Sequence, residues 1–148
     1  MSYPPFVCYT TEAEYRQHFQ RVYCRGPIQT FDGIAVRFRK EAFDHCFFES
    51  SQRNRIKDKF SRKRAERVDW IKTALQDPNS ERYQGWDRDR KAFDPNRRVT
   101  IVLSNYVVVI AMTGPKNANF VTAYVVDSPS QPGRPNTLHQ IRRGPKWP

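Results

Sequence analysis

The sequence predicts an α+β fold in which N-terminal helices pack on a C-terminal antiparallel β-sheet, a β-meander. Apolar residues recur at helical spacing through the first half of the chain, and residues 99–112 are dense in valine and isoleucine. Turn-forming dipeptides separate the late apolar runs, and helices followed by a run of strands is the order of an α+β domain. A chain of 148 residues fits one core. The division expected is one domain over residues 1–127 and a Pro-rich basic tail over 128–148.

The elements follow in chain order. Thr11-Glu12-Ala13-Glu14 is a capping-box sequence, and Tyr15, Phe19 and Val22 continue it at helical spacing, which predicts a helix over 11–23 closed by Gly26-Pro27. Ile34, Val36 and Phe38 alternate with Ala35, Arg37 and Arg39, which predicts a strand within 31–39. A short helix is expected over 41–49. Ser61 can cap another running to Gln76, with Ala65, Val68, Ile71, Ala74 and Leu75 on one stripe. A long polar connection is expected from Asp77 to about Asn96. Val99–Leu103 and Tyr106–Met112 form a hairpin about Ser104-Asn105, and Phe120–Asp127 supplies a third strand. Five prolines and two glycines in the last twenty residues predict an extended tail, draped on the body or mobile.

The charge narrows the partner. The chain carries 26 lysines and arginines against 15 acids, a net +11 with a pI near 10.0, which points to a polyanion. Residues 1–50 hold six basic and six acidic side chains, so the excess lies downstream. Ser51–Arg67 carries eight basic residues and two acids. Further basic blocks lie over 82–98 and in the tail. No apolar run approaches the roughly 20 residues a membrane helix needs, and the N-terminus does not read as a signal peptide, so cytoplasmic residence is expected. Cys8, Cys24 and Cys46 fall in no metal-ligand or redox spacing and are expected to be reduced thiols.

The chain has no Gly-rich phosphate loop, no HExxH and no Gly-x-Ser-x-Gly, and no metal or cofactor is expected. Metal-free chemistry on a polyanion is feasible for RNA, whose 2′-hydroxyl is its own nucleophile; a protein need supply a base, an acid and positive donors. Of His18, His45 and His139, His45 stands immediately before the densest basic run and is the first candidate base. His18 reads as a surface residue, and His139 is a second candidate in the tail. Thr122 and Tyr124 sit two apart on a strand, so both emerge on one sheet face and can donate to phosphate.

Taken together, His45 on an early helix, the basic residues some ten positions later, Arg64-Ala65 leading Trp70-Ile71 and Leu75, the Asn105–Ile110 strand and Phe120-Val121-Thr122-Ala123-Tyr124 resemble the barnase/EndoU/colicin/RelE-like (BECR-fold) nuclease toxins. The resemblance covers His45 to Asp127. It implies a metal-independent endoribonuclease, a toxin that leaves a 2′,3′-cyclic phosphate and is neutralised by an acidic antitoxin or immunity protein. It implies His45 as general base or acid, an arginine from Arg53 or Arg55 as phosphate clamp, Thr122 as a donor to the phosphoryl oxygens, and Tyr124 as a donor, an acid or a stacking ring. The expected catalytic set is His45, Arg55, Thr122 and Tyr124. Arg53, Lys57, Lys59, Arg64, Arg67 and Trp86 are expected to contact RNA. The alternative is a non-catalytic basic RNA- or DNA-binding protein in which Tyr83, Trp86 and Tyr124 stack on bases.

Overall fold

The computed structural model describes residues 3–50, 56–87, 89–127, 133 and 136–147. Helix α1 (Glu12–Tyr23) starts at the expected capping box: Thr11 accepts from the Glu14 amide and the Glu14 carboxylate accepts from the Thr11 amide. It buries Tyr15, Phe19 and Tyr23, with Val22 only partly covered. Two short strands follow, β1 (Ile28–Gln29) and β2 (Ala35–Arg37), joined through Gly33, whose φ of 88° the lack of a Cβ permits. The predicted alternation holds, since Ile34, Val36 and Phe38 are all buried. Helix α2 (Ala42–Phe47) turns Phe43, Cys46 and Phe47 inward at i, i+3 and i+4, which leaves Asp44 and His45 on the outer face. Burying each phenylalanine is worth about 2–3 kcal/mol, so the two anchors fix the rotation of this short helix.

A small two-stranded sheet, β3 (Phe48–Glu49) with β4 (Lys59–Phe60), leads to α3 (Arg62–Ala65) and α4 (Trp70–Gln76). The single helix predicted over 61–76 is thus broken. The Arg67, Val68 and Trp70 amides each reach back only three residues, to Arg64, Ala65 and Arg67, and the Glu66 carbonyl is taken by the Val7 amide. The apolar stripe survives the break, with Ala65, Val68, Ile71, Ala74 and Leu75 all fully covered.

The described residues place a six-stranded sheet in the order β1-β2-β8-β7-β6-β5. Its meander is β5 (Glu81–Asp87), β6 (Ala92–Leu103), β7 (Tyr106–Gly114) and β8 (Asn117–Val125), all antiparallel. The connection expected over 77–96 therefore contains β5 and the start of β6. β2 joins β8 in parallel, Ala35 to Arg37 against Asn117 to Asn119, and among the described residues no strand pairs with the outer edge of β8 beyond Asn119.

Alternation along β6 and β7 divides two cores. Ile101, Leu103, Tyr106, Val108 and Ile110 face the helices, and around them Phe38 stacks on Phe120 at 4.7 Å while Phe19 meets Phe43 and Phe47 edge-on at 5.8 Å. Val102 and Val107 face the other way with Tyr83. Helix α5 (Thr137–Arg143) closes that second face with Leu138 and Ile141. The tail predicted as extended thus holds a helix capped by Asn136. Beyond it the chain pairs along β5, through Gln84 N–H to Pro145 O at 2.9 Å and Trp147 N–H to Arg82 O at 3.1 Å. No helix among the described residues is long and apolar enough to cross a membrane.

Candidate functional site

The candidate site lies where α2 packs against β8, whose outer edge no described strand pairs beyond Asn119. The Cys46 thiol donates to the Ala123 carbonyl at 3.4 Å, tying the helix to the strand. A bulge in β8 between the partners of Val109 and Ile110 leaves Val121 as the extra residue, so Phe120 and Ala123 both face the core. Thr122 then pairs with Val109 and Tyr124 with Val107, on the same side as expected. The Thr122 hydroxyl and the Ala123 carbonyl act against the rise of the Cys46 thiol. Burial nonetheless pushes that thiol up to about 11, so it stays protonated at neutral pH and fills space.

His45, one residue before Cys46, is solvent-exposed on α2. Its imidazole is held below its ordinary value by partial desolvation first, and then by the charges of Lys57, Arg64 and Arg98. It is therefore neutral at physiological pH, the form that accepts a proton.

Arg64 is oriented from α3 by Glu49, whose carboxylate lies 3.3 Å from its Nε, and by the Cys46 carbonyl 3.4 Å from Nη1. Arg98 arrives from the sheet. β5 and β6 lose register between Gln84, which faces Val99, and Gly85, which faces Asp94, so residues 95–98 have no β5 partner. A Cβ at Gly85 would overlap that of Arg98, which is how closely the two backbones pass. Among the described residues no carboxylate pairs with the half-buried Arg98.

Of the sequence-predicted residues, Lys57 and Arg64 act on His45 through their charge, Arg64 acts likewise on Tyr124, and Thr122 lies on the strand to which α2 is tied. The Tyr124 ring also packs on the second core, and burial raises its phenol. Lys59 is exposed on β4 beside Glu49 in register. Arg53 and Arg55 lie outside the described residues. Arg67 does not join the group: its side chain is 12% exposed, it donates to the Lys63 carbonyl and Glu66, and its guanidinium lies 4.5 Å from the Phe6 ring and 5.1 Å from that of Trp70. Trp86 is exposed on β5, three strands away from β8.

Much of the basic run serves the fold. Arg62 donates to the Tyr9 and Thr10 carbonyls at 2.6 and 2.9 Å, and Lys63 pairs with Asp127 at the end of β8. His18 was read from the sequence as a surface residue, but its side chain is 12% exposed, with Nε2 2.7 Å from Asp69 and Nδ1 2.9 Å from the Tyr9 hydroxyl. His139 is exposed on α5, where its amide donates to the Asn136 cap. Sequence reasoning missed Arg98; its signal was Gly85 in an otherwise strand-like run. Among the described residues no three histidine, cysteine or acidic side chains gather as a metal-ligand group. No family model matches the chain, and neither a curated protein nor a solved structure matches it.

Proposed function

We propose that the chain is a metal-independent endoribonuclease that cleaves RNA by attack of the 2′-hydroxyl on the adjacent phosphorus, leaving a 2′,3′-cyclic phosphate. The observation that carries this is the exposed His45 imidazole on α2, next to the Cys46 that is tied to β8, on which the positive charges of Lys57, Arg64 and Arg98 act. An anionic phosphate drawn to the cations meets a neutral base. His45 takes the 2′-hydroxyl proton as that oxygen bonds to phosphorus, and Arg64 and Arg98 offset the charge that builds on the nonbridging oxygens. Thr122 donates to the phosphoryl oxygens. The bond to the 5′-oxygen breaks, and Tyr124, whose raised phenol stays protonated, is the proton source for that leaving oxygen. A toxin role, cytoplasmic action and neutralisation by an acidic antitoxin or immunity protein belong to the same proposal, because so basic a surface steers a negative inhibitor.

Incubating the pure protein with RNA in EDTA tests this. Products ending in 2′,3′-cyclic phosphate, lost in His45→Ala while RNA binding persists, support it; full activity in that variant sinks it. A second reading, a non-catalytic nucleic-acid-binding protein, is favoured by the exposure of Trp86 and predicts retention of RNA with no new ends.

A further inference from the structure

β5 and β6 continue as a two-stranded arm past the point where the sheet supports them. Among the described residues β7 pairs with β6 from Arg98 to Leu103, whereas β5 and β6 go on pairing from Gly85–Asp94 through Trp86–Phe93 to Asp87–Ala92. At the Trp86–Phe93 rung the two rings meet edge to face at 5.2 Å and 83°, and they remain 51% and 37% exposed.

The rings are held in place. Phe93 lies against Gly144, where an added Cβ would come within 2.8 Å of the ring, so the C-terminal segment that pairs with β5 also supports the arm. At the tip the Asp87 carboxylate accepts the Asp89 and Arg90 amides at 3.0 and 3.3 Å, and Lys91 takes a left-handed φ of 50°.

The other exposed phenylalanines differ. Phe6 lies under the Arg67 guanidinium and stacks on Trp70 at 5.4 Å, and Phe31 lies under Arg82 at 5.4 Å. Among the described residues no guanidinium covers Trp86 or Phe93. Among the described residues the half-exposed indole thus stays open at a rim where Arg90, Lys91 and Arg143 are exposed. An exposed aromatic plane near exposed cations suits a flat π-face carried on a polyanion, which is a nucleobase of a nucleic acid strand.

We propose that the Trp86–Phe93 arm is a stacking subsite for an unpaired base of single-stranded RNA, engaging the strand away from the phosphate held at His45. This rests on RNA being the ligand but not on cleavage. Base faces are available only where RNA is unpaired, so the arm selects single strands over duplex.

The test is fluorescence anisotropy with a labelled, unstructured 12-nucleotide RNA and with the same sequence as a duplex, using the full chain at fixed salt. Trp86→Ala is expected to weaken single-strand binding about tenfold. It should leave duplex binding and the salt slope unchanged, because no charge is removed. Trp86→Phe should recover most of the loss. Equal single-strand affinity in Trp86→Ala and wild type, or an equal loss on duplex, overturns the subsite. A concentration-dependent dimer in sedimentation that Trp86→Ala abolishes, with RNA affinity unmoved, also overturns it and makes the arm a self-association surface. Wild-type protein that binds no RNA brings down the nuclease reading as well, whereas a Trp86 effect with no cleavage leaves the subsite standing.

Discussion

Two histidines of this chain occupy opposite environments. His18 has both ring nitrogens engaged, Nε2 with Asp69 and Nδ1 with Tyr9, and these bonds tie α1 to α4 and to the N-terminal segment. His45 is exposed, no carboxylate pairs with it among the described residues, and three cations act on it. The His-Asp pair has the look of a catalytic dyad, yet neither of its nitrogens is open to a substrate. The histidine without an acidic partner is the one a polyanion can reach. Availability of a lone pair distinguishes the two more sharply than the presence of an aspartate.

Exchanging their fates gives the largest expected effect. His45→Ala should lower cleavage by about 10²–10⁴-fold with the melting temperature unchanged. His18→Ala should leave kcat within a few-fold and cost about 1–3 kcal/mol of stability, since it strands the Asp69 carboxylate. Reversal of these outcomes in paired activity and denaturation assays would make His18 the catalytic residue.

Next in size is the charge around His45. Arg98→Ala should slow cleavage by about a hundredfold, in the range of a lost oxyanion donor, and Gly85→Ala, which drives a methyl into Arg98, should have a smaller effect in the same direction. Both should raise the His45 pKa toward its ordinary 6.5, read from the imidazole proton shifts by NMR. An unmoved titration in Arg98→Ala would remove Arg98 from the site.

The pH dependence is subtler. A histidine depressed in the folded state accepts a proton more readily when unfolded, so protonation favours unfolding. That penalty is absent above 6.5 and complete once the pH has fallen below the folded value. Cleavage should rise through that same depressed value and level off by neutrality. Stability measured across this window should lose its slope in His45→Gln, which cannot titrate there.

The smallest effect concerns the thiols. Cys8 is exposed and Cys46 is buried, with its thiol pushed up to about 11. A thiol reagent at neutral pH should modify Cys8 first and Cys46 only on unfolding. Fast labelling of Cys46 would mean that α2 detaches from β8.

How much of this was legible depended on whether a signal was local. The inward face of α2 was readable because Phe43, Cys46 and Phe47 fall at helical spacing, and the late strands because their residues are β-branched. β5 was missed because Glu81-Arg82-Tyr83-Gln84-Gly85-Trp86-Asp87 is an edge strand whose alternation is polar, its stability coming from β6 on one side and the C-terminal segment on the other. Helix α5 was hidden by the surrounding prolines, and its apolar anchors are just Leu138 and Ile141, with Arg142 pairing to Glu81. The basic run from Ser51 to Arg67 was read as one ligand surface, but Arg62, Lys63 and Arg67 are engaged by carbonyls, Asp127 and aromatic rings. Arg98 was missed because its position depends on a register break between two strands, of which Gly85 is the local sign and the pairing itself is not local.

The parallel pairing of β2 with β8 joins parts of the chain more than half its length apart. Contacts of such separation form late, after the loop between them has closed. A ribosome making this protein releases α2 and its histidine long before the strand that carries Thr122 and Tyr124. Until β8 is complete, Val36, Phe43 and Phe47 lack the surface that covers them, and the helix that carries His45 lacks the strand it is tied to. Under the proposed activity, a nascent or truncated chain is inert toward the RNA that encodes it, and the finished molecule acquires its chemistry in one late step.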